Sequence, residues 1–113
     1  MTIQDVASFL EAEVLCGEEL LKNEVSSACG SDMMSDVLAF VKHQAVLMTG
    51  LVNAQVIRTA EMMDMRCVVF VRSKKPTAEM IELAKDSSIV LLSTGKRMFE
   101  ACGILYQNGL RSV

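Results

Sequence analysis

Four short stretches of this chain combine residue types that bind anions: Ser31-Asp32, Thr49-Gly50 with Asn53 close behind, Arg72-Ser73-Lys74, and Ser93-Thr94-Gly95-Lys96. Each closes a strand-like run and precedes a helical pattern. At such elbows small hydroxyls, flexible glycines and cations meet the unpaired N–H groups of a helix start, the chemistry that holds a phosphate. The expected site takes a phosphorylated or nucleotide-like metabolite. Ser93, Thr94 and the Gly95 amide donate hydrogen bonds in this reading, and Arg72 and Lys96 supply charge. Asp32, Thr49, Gly50, Asn53 and Ser73 complete the expected ligand-binding set. The same residue types also serve as plain turn and capping residues, a reading that needs no ligand. Ser93-Thr94-Gly95-Lys96 is not a phosphate loop, because it lacks the GxxxxGK[ST] spacing that curls a backbone around phosphates.

Catalytic chemistry has fewer footholds. His43 is the single histidine, placed by the pattern at a helix end where a positive side chain complements the last carbonyls. Asp32 and Asp36 lie four apart and could share a helix face around a hard cation, yet paired carboxylates are also ordinary first-turn residues. Cys16, Cys29, Cys67 and Cys102 stand 13, 38 and 35 positions apart, so no CxxC occurs, and one histidine completes no familiar zinc spacing with them. They are expected to be reduced core thiols. No metal, no cofactor and no catalytic residue is expected, and the chain is not expected to be an enzyme.

The elements that must position these residues follow from hydrophobic period. Thr2 caps a first helix with Asp5 in its first turn and Ile3, Val6, Ala7 and Leu10 on one face. Glu13 to Cys16 is a brief strand ended by Gly17, and Val25 to Gly30 is a second strand stopping at Ser31-Asp32. A helix capped by Ser35 carries Val37, Leu38 and Val41 and gives out near Lys42-His43. One plan then repeats three times: an apolar run, a polar elbow and a helix. Ala45 to Met48 leads to a helix over about Asn53 to Met63. Cys67 to Val71 leads past Pro76 to a helix capped by Thr77, with Met80, Ile81 and Ala84 facing inward. Ile89 to Leu92 leads to a last helix with Met98, Cys102, Leu105 and Tyr106 on one side, ended by Gly109. Strands that are apolar throughout and alternate with helices predict an α/β fold: one three-layer domain over residues 1–113, its mostly parallel sheet covered by helices on both faces. In such a sheet the ligand crevice lies outside the carboxyl ends of the strands, where these elbows gather.

Composition narrows the class. At 113 residues there is room for one core, and an apolar content of 51% rules out disorder. The longest apolar runs fall far short of the ~20 residues that cross a bilayer, and the first residues lack a basic region followed by an apolar stretch. Neither membrane nor secretion is expected, and a cytoplasmic location is. A net charge of −3, with no basic run longer than Lys74-Lys75, argues against a nucleic-acid partner. Nine methionines are an unusual count. Neighbours such as Met33-Met34 and Met62-Met63 cannot both point inward from one helix, so some are expected at a surface that a second copy covers. The expected seam of this homodimer includes the Met33 to Phe40 segment or the Met62 to Met65 corner.

From Gly17 to Gly109 the chain resembles a DRTGG domain. The likeness rests on Gly17-Glu18-Glu19-Leu20, Ser31-Asp32-Met33-Met34-Ser35-Asp36-Val37-Leu38, Val71 through Lys75-Pro76, Glu82-Leu83-Ala84-Lys85 and Leu91-Leu92-Ser93-Thr94. Such domains are similar to the amino-terminal domain of HPr kinase/phosphorylase. They also occur fused to phosphotransacetylases and CBS-domain pyrophosphatases, where their part is regulatory and dimer-forming. The resemblance implies a non-catalytic, homodimeric regulatory module, expected to sense a phosphorylated or adenine-nucleotide-like metabolite at the strand ends, with a structural interaction subunit or adaptor of a separate metabolic or redox enzyme, lacking any small-molecule ligand, as the alternative. No literal DRTGG string is present; Thr49-Gly50 aligns with part of it, and Arg72-Ser73 stands where a glycine pair is common. A loop without glycine approaches a phosphate less closely.

Overall fold

Thr2 starts the first helix by reciprocal hydrogen bonding: its Oγ1 accepts the Asp5 N–H at 3.1 Å, and the Asp5 carboxylate accepts the Thr2 N–H at 2.9 Å. The resulting α1 (Ile3–Phe9) buries Ile3, Val6 and Ala7, with Leu10 just beyond its end, as the spacing predicts. The computed structural model describes residues 1–40 and 44–112. The helix end expected at Lys42-His43, with Val41 before it, lies outside the described residues.

The remaining elements follow in the predicted alternation. β1 (Glu13–Cys16) ends at Gly17, whose φ of 87° turns the chain into a single 3₁₀ turn at Glu18–Leu20. Then come β2 (Ser27–Gly30), α2 (Met34–Phe40), β3 (Ala45–Thr49), α3 (Ala54–Met62), β4 (Cys67–Phe70), α4 (Ala78–Asp86), β5 (Val90–Ser93) and α5 (Met98–Gln107). The sheet order is β1-β5-β4-β3-β2; β2 to β5 run parallel, and only the edge strand β1 is antiparallel to its neighbour.

This order explains both layers. Each step from β2 to β5 moves one place across the sheet in the same direction, so right-handed crossovers put α2, α3 and α4 on one face. There Met34, Val37, Val56, Ile57, Ala60, Met80 and Ala84 pack on Leu47, Val68, Phe70 and Leu91. The other face belongs to α1 and α5, whose Ile3, Val6, Ala101 and Leu105 cover Val46, Met48, Val69 and Leu92. Successive strand residues serve opposite faces, and both faces are covered, which is why the strands are apolar throughout. The expected α/β three-layer architecture is what the chain adopts.

Three local expectations need correction. α2 begins at Met34, so Ser35 lies inside the helix and does not cap it; Ser31 Oγ instead accepts the Met33 N–H at 3.0 Å. Starting there turns Met34 into the core and leaves Leu38 exposed. Along α5 the buried stripe is Ala101 and Leu105, with Met98 and Cys102 half-buried at its margin. Tyr106, about 100° round the helix from Leu105, is exposed and carries the Arg111 guanidinium 4.1 Å above its ring. Cys16 and Cys67 are buried, but Cys29 and Cys102 are half-buried, short of full core positions. Burial pushes all four thiols above their ordinary range. Among the described residues no helix is long and apolar enough to cross a membrane, and no cluster of metal-ligating side chains occurs.

Candidate functional site

Parallel pairing in register brings the carboxyl ends of β2, β3, β4 and β5 to one rim: Gly30 lies beside Met48, Thr49 beside Phe70, and Phe70 beside Ser93. The four elbows named from the sequence are therefore neighbours. What they do there differs sharply from one to the next.

The β2 and β3 ends are tied by one carboxylate. Asp32 Oδ1 accepts the Thr49 hydroxyl at 2.9 Å and the Gly50 N–H at 2.7 Å, and Thr49 Oγ1 in turn accepts the Leu51 N–H at 3.1 Å. Thr49 is fully buried, so its hydroxyl works as a link within the rim and not as a donor to solvent. The Gly50 N–H does most to hold the Asp32 carboxyl below its ordinary value; partial burial opposes this, while the Thr49 hydroxyl and the nearby Arg72 guanidinium add to the lowering. Asp32 Oδ2 has no hydrogen-bond partner among the described residues.

The β4 end forms a tight turn, Lys74 N–H donating to Val71 O at 3.1 Å, with Arg72 and Ser73 at φ values of 57° and 58°. Positive φ at both central positions is the pattern of a type I′ turn, normally filled by Asn-Gly or Gly-Gly, and it costs a non-glycine residue about 1–2 kcal/mol. Backbone bonds pin the turn to the next elbow: Arg72 N–H donates to Lys96 O and Ser73 N–H to Thr94 O, both at 2.8 Å. The Arg72 guanidinium lies directly over Gly50, where any Cβ would overlap it.

The β5 elbow bonds mainly to other parts of the chain. Ser93 Oγ donates to Lys74 O at 2.8 Å, and Thr94 Oγ1 donates to Leu10 O at 2.7 Å while accepting the Lys96 N–H at 3.2 Å. Both residues are buried. Lys96 Nζ stands 3.4 Å from Glu11 Oε1, beside a separate hollow of about 350 Å³ formed by Leu10, Glu11, Thr94, Gly95, Lys96 and Glu100. Asn53 occupies the N-cap of α3 with its side chain exposed and no capping bond. Ser73 and Gly95 face each other across the two loops, the Ser73 Oγ lying 3.4 Å from where a Gly95 Cβ would stand.

A second opening, about 450 Å³, is lined by Ser31, Asp32, Arg72, Arg97, Met98 and Phe99. It gathers Asp32 and Arg72 from the expected set and adds residues that sequence reasoning passed over. Arg97 is the N-cap residue of α5 and makes no side-chain cap bond. Phe99 is 92% exposed at the cleft mouth. One signal was available: a phenylalanine one position after Met98 falls off the apolar stripe of the last helix. Among the described residues neither Arg72 nor Arg97 takes part in an ion pair.

A family model described as the DRTGG domain matches residues 5–107. Among solved structures the chain is similar to the CBS and DRTGG domains of the regulatory region of a Clostridium perfringens pyrophosphatase, in complex with its activator, diadenosine tetraphosphate. The TM-score is 0.74 at 20% identity, over 94% of this chain and 46% of that one. This chain thus spans less than half the length of that relative, and at this identity the likeness is one of fold. No curated protein matches.

Proposed function

The chain belongs to the DRTGG-domain family, and on that footing we propose that it is a non-catalytic regulatory module, a homodimer that senses a phosphorylated, adenine-nucleotide-like metabolite at the strand rim. The observation that carries this reading is the single cleft holding Arg72, Arg97 and Asp32 together. Its volume of about 450 Å³ falls within the roughly 300–1,000 Å³ usual for small-molecule sites. Two guanidinium groups without ion-pair partners among the described residues match phosphate oxygens by their forked donors. Asp32 spends Oδ1 on Thr49 and Gly50 and keeps Oδ2 for a ligand hydroxyl, such as that of a ribose. Phe99 offers an exposed ring against which a base can stack. The nucleotide activator in the complex of the fold relative supports including nucleotides among the ligands tried.

We take the site to be smaller than the sequence alone suggests, because the Ser93 and Thr94 hydroxyls hold carbonyls of the chain and Lys96 faces Glu11. Support for the homodimer comes from Met33 at 60% exposure, Leu38 at 39% and Met62 at 69%, all apolar side chains of the two segments named for the seam or directly flanking α2 and α3. A monomeric mass by light scattering at tens of micromolar would refute it.

The ligand test is a thermal-shift panel of AMP, ADP, ATP, diadenosine tetraphosphate and acetyl phosphate. A true ligand at a hundredfold excess over Kd stabilises the fold by about 2.7 kcal/mol, or roughly 10 °C. If no member of the panel moves the melting temperature, the cleft reading is wrong. The exposed methionines then favour an interaction subunit of a separate enzyme.

A further inference from the structure

Arg72 sits where its side chain is not needed by the turn that contains it. The bonds that shape the turn and anchor it, from Lys74 N–H to Val71 O, from Arg72 N–H to Lys96 O and from Ser73 N–H to Thr94 O, are all between backbone atoms. Glycine would make every one of them without the strain of a left-handed L-residue. The guanidinium makes no ion pair among the described residues that would account for keeping it. It does have a prepared place: Gly50 leaves open the space it occupies, since a Cβ there would overlap Arg72 Nη2 and approach Cζ to 3.2 Å. From that place it lines the cleft shared with Asp32 and Arg97.

We infer that Arg72 is the phosphate-selecting residue of the cleft, held in a strained turn so that its guanidinium lies over Gly50 and binds the phosphoryl group of a nucleoside phosphate. This rests on the reading of the cleft as an anion site and adds which residue selects the anion. Gly50 acts as a positioning residue, because it makes room for the guanidinium. The position therefore trades stability for recognition.

The test compares wild type with Arg72→Gly and with Ser88→Gly, which relieves a φ of 57° just past α4 and outside the cleft, by calorimetric titration of ADP and by thermal melting. Arg72→Gly weakens ADP binding by at least about tenfold, the loss of a charged bidentate contact. It also raises the melting temperature by about 2–5 °C, because relief of left-handed strain exceeds the extra freedom glycine brings to the unfolded chain. Ser88→Gly gives a similar rise and leaves ADP affinity unchanged. ADP binding retained in Arg72→Gly, or a fall in its melting temperature, overturns the assignment of Arg72 while leaving the cleft as a site. Wild type that binds no ADP overturns the assignment, and wild type that also binds no other member of the nucleotide and acetyl phosphate panel overturns the cleft reading with it.

Discussion

Replacing Asp32 tests whether the rim is organised as its hydrogen bonds imply. Asp32→Ala removes one acceptor from two donors, the Thr49 hydroxyl at 2.9 Å and the Gly50 N–H at 2.7 Å. Gly50 is half-exposed and its N–H can turn to water, so that bond is worth about 1 kcal/mol, the value of an ordinary hydrogen bond and below the roughly 1.5–3 kcal/mol of one to a charged group. Thr49 is fully buried, and its hydroxyl loses the one acceptor it has among the described residues, at about 1–2 kcal/mol. The expected loss is about 2–3 kcal/mol, a fall in melting temperature of roughly 8–12 °C for a domain of this size. Asp32→Asn keeps an oxygen facing both donors and gives up only the charge, so it loses about half as much. The pH dependence follows from the sign of the shift. The folded carboxyl titrates below its ordinary 3.8, so the unfolded chain binds the proton first as pH falls. Its stabilisation is complete above about pH 5 and is lost below about pH 4 as Asp32 itself protonates. Urea unfolding of wild type and Asp32→Asn at pH 7 and at pH 3 is the assay: the gap between them narrows at the lower pH. Equal stability of Asp32→Ala and wild type, or a gap that does not change with pH, would refute the reasoning.

Two further substitutions separate scaffold from site. Thr94→Val, nearly isosteric, removes the 2.7 Å bond to Leu10 O in a buried position and should cost about 1–3 kcal/mol in urea unfolding while leaving any ADP-induced thermal shift intact. A variant of normal stability that had lost the ADP shift would instead place Thr94 in the ligand site. Gly17→Ala forces a left-handed φ of 87° on an L-residue and sets its Cβ 2.9 Å from Val90 Cγ2 and 3.1 Å from Val90 Cα. About 2–4 kcal/mol of destabilisation should appear in thermal melts, and a neutral effect would mean that the β1–β5 edge shifts freely.

Much of the fold was legible because its signals are local. Ala45 to Met48, Cys67 to Val71 and Ile89 to Leu92 are apolar at every position, which only a strand covered on both faces requires, and each is followed by an elbow and a helical period. The capping box at Thr2 and the cap at Thr77 were readable for the same reason, since donor and acceptor lie three residues apart. The succession of motifs also carried the family resemblance, which the match over residues 5–107 bears out. Where α2 starts was not readable: Met33 and Met34 offer the same side chain, and only the sheet beneath selects which one is buried.

The candidate site divides along the same line. Residue order alone places hydroxyls, a carboxylate and cations at the ends of parallel strands, because an elbow's chemistry is written within a few positions of the strand it closes. It cannot distinguish Thr49, bound to Asp32 17 positions away, from Thr94, bound to Leu10 84 positions away, since both are threonines after an apolar run. Nor does Arg72-Ser73 carry the Asn or Gly that would announce a left-handed turn; the partner carbonyls of Thr94 and Lys96 impose it from the next elbow. Which groups are spent on the chain itself and which remain to meet a ligand depends on contacts between segments distant in sequence, and those exist only once the sheet has brought its strand ends to a common edge.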